Sequence, residues 1–173
     1  MRGPRRWVGH SLAGVTIPLV ALARPVRHLV YLCGVMRDPG RSMKDRNEDG
    51  TDADMTPPSL TGLEYADDGA SWWVSEDAAR TLLYGDVAPD LARRSFERLR
   101  RQYTLWFEMA PNDRWPDAPS TYILCTEDRI VDPGWSRRSA RTRLGVEPIE
   151  LPGSHSPMLS RPELLAETLV GLL

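Results

Sequence analysis

Gly9-His-Ser-Leu-Ala-Gly14 decides how this chain is read. It separates a short strand pattern, Arg6 to Val8, from a Leu-, Ala- and Val-rich run, Ser11 to Ala23, that predicts a helix. A serine hydroxyl is a poor nucleophile unless it is held exposed beside a base. A tight strand-to-helix turn does this, and the crowded backbone there demands small flanking residues in the pattern G-x-S-x-G. Here Ala13 stands at the final glycine position and Gly14 follows. On this stretch alone Ser11 is either a nucleophile or a simple helix N-cap. As a nucleophile it would have the backbone N–H of Leu12 as one oxyanion donor, because a helix start aims its N–H groups at the site.

Outward from this turn, Pro18 predicts a kink in the helix and Arg24-Pro25 its end. His28-Leu-Val-Tyr-Leu-Cys33 is a short apolar run of strand length. Strand, helix and strand make a parallel βαβ unit. Residues 37–69, dominated by Asp, Gly, Pro, Asn and Ser, predict a loop or mobile segment. Extended Ser71 to Val74 and a short helix from Ser75 to Tyr84 follow. Ala88 to about Tyr103 predicts a stronger helix, with Leu91, Phe96 and Leu99 inside and Arg93, Arg94, Glu97, Arg98 and Arg101 on a solvated face. Thr121 to Thr126 reads as a strand, Pro133 to Leu144 as a helix closed by Gly145, and Val146 to Leu151 as an outer strand. Pro162 to Leu173 reads as a terminal amphipathic helix. The pattern is α/β: a parallel sheet flanked by helices, with a helical cap insertion. Its divisions are 1–36 (the serine-turn βαβ unit), 37–118 (the cap with its polar loop) and 119–173 (the rest of the core).

The downstream core carries an acid and a base. Asp128, in Cys125-Thr-Glu-Asp-Arg129, follows a parallel strand, at the end where open α/β sheets place their ligands. There an aspartate can accept an imidazole N–H and stabilise the imidazolium. Glu127, Asp132 and Asp38 are rival acids. His155 lies in Leu151-Pro-Gly-Ser-His155-Ser-Pro, on a loop leading into the last helix. His28 belongs to a strand edge, and His10 adjoins Ser11 but points away from it. The order Ser, Asp, His distinguishes this arrangement from other serine-hydrolase classes. Trp72, Trp73 and Trp106, together with Phe107, lie in the cap region, either as walls of an apolar substrate pocket or as cap core.

The stretches VGHSLAG, TYILCTEDRIV and LPGSHSPMLSRPELLAETL resemble the α/β-hydrolase group that contains plant methylesterases, salicylate-binding esterases and hydroxynitrile lyases. The resemblance covers most of Val8 to Leu173 and weakens across residues 37–69. It implies Ser11 as nucleophile, Asp128 as acid, His155 as base and a cap over the substrate. Hydroxynitrile lyases of the group carry lysine directly after the histidine. Ser156 stands there, which implies hydrolysis of a small carboxylic ester. Only ten residues precede Ser11, whereas the family has further strands and a second oxyanion donor upstream. The expectation is therefore the C-terminal part of an α/β-hydrolase, with an exposed apolar edge near Val8. The alternative is an inactive fragment, or a ligand-binding protein on the same scaffold.

Composition bounds the partners. With 173 residues and 41% hydrophobic content, the chain can build one real core. A net charge of -2 predicts no attraction to nucleic acid or an anionic membrane. Cys33 and Cys125 are too few for a disulfide framework and read as buried reduced thiols, as in cytoplasm. Neither an export signal nor a membrane span is expected, and serine hydrolysis calls for no metal or organic cofactor. Nothing in the sequence specifies an oligomeric state.

Overall fold

In the computed structural model, which describes residues 3–55, 62–103 and 109–172, the strand before the serine is β1 (Arg5–His10). A 3₁₀ turn, Ser11–Val15, leads to α1 (Ile17–Ala23) and β2 (Val26–Leu32). Next come α2 (Met43–Glu48), β3 (Leu63–Tyr65), β4 (Ala70–Trp73), α3 (Glu76–Leu82), α4 (Pro89–Phe96) and β5 (Gln102–Tyr103). The chain continues through β6 (Ser120–Cys125), α5 (Pro133–Ser139), β7 (Ile149–Leu151), α6 (Pro157–Ser160) and α7 (Pro162–Gly171). It packs as two units. The first is Met1–Met55, Leu105–Leu124 and Val131–Glu150; the second is Thr56–Thr104, Cys125–Ile130 and Leu151–Leu173.

The first unit is organised by a sheet of order β1-β2-β6-β7, in which β1/β2 and β2/β6 are parallel. Parallel neighbours need a crossover, and α1 supplies it between β1 and β2. Leu29, Val30, Tyr31 and Leu32 of β2 and Tyr122, Ile123 and Leu124 of β6 are all buried. Strands covered on both faces read as continuous apolar runs, which is why these two were visible in the sequence. β1 is an edge, and its Val8 is 47% exposed. The last strand starts later than expected, at Ile149, because Pro148 has no N–H to give a ladder.

Pro18 does not kink a helix. The 3₁₀ turn ends first, Thr16 starts a new helix, and Pro18 falls in its first turn, where a missing N–H costs nothing. Residues 37–55 are also more ordered than their composition predicts. Ser42 and Asp45 close a reciprocal capping box at the start of α2. Buried Asp52 accepts from Arg46 Nε at 2.8 Å, from Arg143 Nη2 at 2.8 Å and from Trp135 Nε1 at 2.7 Å. Burial alone would raise the Asp52 pKa, but the hydrogen bonds from Arg46, Arg143 and Trp135 hold it below the usual carboxylate range. Asp38 pairs with the same two arginines.

Tyr31 and Tyr122 stack between β2 and β6 with ring centroids 6.3 Å apart. Their hydroxyls differ. Tyr122 Oη donates to the Gly34 carbonyl at 2.7 Å, whereas Tyr31 Oη is buried with no hydrogen-bond partner among the described residues. Burial accordingly pushes the Tyr31 pKa up. An unsatisfied buried hydroxyl costs about 1–3 kcal/mol, and a satisfied one contributes roughly 1 kcal/mol. Tyr31→Phe is therefore expected to raise the urea midpoint and Tyr122→Phe to lower it. Equal shifts in both variants would contradict this account.

The second unit has an antiparallel sheet of order β3-β4-β5 and a helical cluster. Ala79, Tyr84, Val87 and Ala92 are buried there, with Trp73, Leu91, Phe96, Leu99 and Leu159 packed against them. The helix expected to reach Tyr103 stops at Phe96. Arg98 and Leu99 make i→i−3 bonds to Ser95 and Phe96, and Arg100 Nη1 caps the Leu99 carbonyl at 3.0 Å. Gln102 and Tyr103 then turn into β5 and pair with β4. Leu99 still joins the predicted apolar stripe, and Arg93, Arg94, Arg98 and Arg101 are exposed.

Candidate active site

In the first unit the serine turn is strained as its sequence demands. His10 is extended at φ -88, and Ser11 then adopts φ 53, a left-handed conformation that non-glycine residues rarely hold. A Cβ on Gly9 would lie 2.9 Å from the Ala13 carbonyl oxygen, and one on Gly14 would run into the Val35 carbonyl. Ala13 is exposed, so the methyl that departs from G-x-S-x-G has room, while Gly14 takes the crowded position. Val35 N–H donates to the Ser11 carbonyl at 3.0 Å and fastens the turn. Ser11 is not an N-cap: His10 and Thr16 occupy the cap positions. Leu12 follows as the second residue of the 3₁₀ turn.

In the second unit, the loops after β6 and β7 bring Asp128 and His155 together. His155 Nδ1 lies 2.8 Å from Asp128 Oδ2, with the two residues 1% and 6% exposed. The other carboxylate oxygen, Oδ1, accepts the Ile130 N–H at 2.8 Å. The loops are also tied by backbone: Thr126 N–H to the Leu151 carbonyl at 2.9 Å, and Glu127 N–H to the Gly153 carbonyl at 3.0 Å. A carboxylate held on one oxygen and facing an imidazole nitrogen with the other fixes the ring's orientation and tautomer.

The rival residues have other work. Asp38 is committed to Arg46 and Arg143, Asp132 caps α5 through the Trp135 N–H at 2.8 Å, and Glu127 is exposed. His28 Nε2 lies 2.8 Å from Thr121 Oγ1, and burial together with nearby Arg6 pushes its pKa down. Trp72 and Trp73 are consecutive strand residues, so their side chains take opposite faces. Trp73 packs on the helical cluster, and the Arg101 guanidinium stands 4.3 Å over the Trp72 ring. Trp106 and Phe107 lie outside the described residues.

Asp86 also lies beside the histidine loop. Asp86, between α3 and α4, accepts the Ser154 N–H on Oδ1 at 3.1 Å and also binds the Ser154 hydroxyl. Burial would raise its pKa, but these Ser154 bonds hold it below the usual range. Only the polar Gly85-Asp86 pair interrupting two helical patterns could have pointed to it.

Parallel β1/β2 and β2/β6 pairs, with a helix crossing over between β1 and β2, define an α/β protein. The chain belongs to the alpha/beta hydrolase family, whose family model matches residues 1–168. It is 26% identical over 170 residues to alpha/beta hydrolase nvfD of Aspergillus novofumigatus, covering 91% of this chain and 65% of that protein. It is 28% identical over 171 residues to the pyrethroid hydrolase of Sphingobium wenxiniae, covering 94% of this chain and 61% of that one. The chain thus spans less than two thirds of the length of these relatives. Among solved structures, a variant of the pyrethroid hydrolase PytH superposes with a TM-score of 0.79 at 25% identity, over 98% of this chain and 70% of that one. Polyneuridine aldehyde esterase shares the fold, with a TM-score of 0.76 at 16% identity over 96% of this chain and 71% of that one. Among the described residues, no helix is long and apolar enough to cross a membrane.

Proposed function

We propose that the chain carries the catalytic residues of a serine hydrolase acting on a small carboxylic ester through an acyl-enzyme. Ser11 is the nucleophile, His155 the general base and then acid, and Asp128 the carboxylate that orients His155. The buried His155–Asp128 pair carries this reading, because it fixes the tautomer a serine base requires. The strained Ser11 turn supports it. In the first half-reaction the serine oxygen bonds to the ester carbonyl carbon as its proton passes to His155. The alcohol then leaves with that proton, and water repeats the sequence on the acyl-serine to release the acid. The Leu12 N–H is assigned to the developing oxyanion. Ser156 in place of lysine, and relatives named as esterases, favour an ester as substrate. Trp72, Trp73 and Trp106 are the residues assigned to contact its apolar part, and the reaction calls for no cofactor.

Treatment with a fluorophosphonate, followed by peptide mapping, tests the assignment on the unmodified chain. The expected result is one phosphonyl adduct, on Ser11. Modification of another serine, or a folded chain that takes up no probe, would overturn it.

A further inference from the structure

The segment carrying His155 is hydrogen-bonded just before the histidine by one carboxylate, which also forms an ion pair after it. Asp86 Oδ1 takes the backbone and hydroxyl of Ser154, immediately before the histidine. Asp86 Oδ2 pairs with Arg161 Nε at 3.4 Å, at the start of α7. The grip is close: Gly153 has φ 112, and a Cβ there would collide with Asp86 Oδ2 and lie 2.9 Å from Arg161 Nε. Asp86 is itself a fixed post, since its neighbours Tyr84 and Val87 are buried in the helical cluster. Leu159 of α6, four residues after His155, packs on that cluster as well. Gly153 meanwhile gives its carbonyl to Glu127 N–H, on the loop of the acid.

We infer that Asp86 is a positioning residue: by holding Ser154 and Arg161 it sets the His155 imidazole against Asp128. The inference rests on His155 being the base of the proposed hydrolase. Hydrogen bonds to an ionised carboxylate are roughly twice as strong as neutral ones, so this side chain has the means to fix a loop. Misplacing a catalytic group by about 1 Å can cost on the order of 10²-fold in rate.

Three variants of the full chain test this: Asp86→Ala, Asp86→Asn and Ser154→Ala. Each is followed by thermal melting, by the downfield proton resonance of His155 Nδ1–H, and by hydrolysis of p-nitrophenyl acetate. Asp86→Ala is expected to lower kcat about 10²-fold with KM little changed, and to broaden or shift the Nδ1–H resonance. Asp86→Asn keeps an acceptor oxygen for Ser154 and should recover part of both losses. If Asp86→Ala does not fold, Ser154→Ala decides, because it removes the hydroxyl side of the grip and leaves the backbone bond. Wild-type kcat together with an unmoved resonance in a folded Asp86→Ala or Ser154→Ala would overturn the inference. If the wild type neither labels nor turns over, the esterase reading falls, yet the resonance still reports whether Asp86 sets His155.

Discussion

Ser11→Ala is expected to abolish fluorophosphonate labelling and to lower ester turnover by about 10⁶-fold, the loss typical when a triad nucleophile is removed. The fold should survive it. Alanine and serine pay the same backbone penalty at φ 53, and the Val35 N–H bond that fastens the turn goes to the main-chain carbonyl of residue 11. Melting temperature should therefore stay near the wild-type value. Ser11→Gly adds a second, opposite readout. Glycine adopts positive φ without steric cost, and a strained non-glycine residue stores about 1–3 kcal/mol. This variant should be as inactive as the alanine one and measurably more stable. Turnover retained by Ser11→Ala, on a protein shown to be folded, would remove Ser11 from the mechanism. A Ser11→Gly variant less stable than wild type would mean the turn stores no relievable strain.

What could be read in the sequence was what local chemistry writes locally. The serine turn was visible because its crowding admits only small residues, and the structure shows where: Gly14 lies against the Val35 carbonyl, while Ala13 has open space. β2 and β6 were visible as apolar runs because they are buried on both faces. Asp128 and His155 were visible as polar residues just past strand patterns. The structure departs from the sequence pattern where partners are distant in sequence. Residues 37–55 looked like a loop because no window of them contains Arg143, which lies 91 residues beyond Asp52 and completes its ion network. Asp86 looked like an ordinary turn residue because its partner, Ser154, is 68 residues away. The overlong helix had a subtler cause. Arg98, Arg100 and Arg101 are acceptable helix residues by propensity, yet Arg100 turns back to cap the carbonyls that end α4. Propensity describes what a residue tolerates, and here a cap and a strand partner decided otherwise.

Asp128→Asn should cost about 10⁴-fold in kcat while leaving the fold in place, for a reason specific to this loop. Asp128 Oδ1 accepts the Ile130 N–H at 2.8 Å, so an asparagine here must keep its carbonyl oxygen on that side. Its NH2 group is then forced toward His155 Nδ1, the atom that faces Asp128 Oδ2 at 2.8 Å. A donor meeting Nδ1 makes that nitrogen an acceptor and moves the ring proton to Nε2, the position from which a base must accept the serine proton. The residue keeps its shape and its Ile130 bond, so melting should change little while the Nδ1–H resonance disappears. Asp38→Asn is the matched control for the rival acid. Asp38 is bound to Arg46 and Arg143, so this change should lower stability and leave kcat close to wild type. The reverse outcome, with Asp38→Asn inactive and Asp128→Asn fully active, would transfer the acid's role to the loop after β2. The buried Asp128–His155 pair would then be only structural.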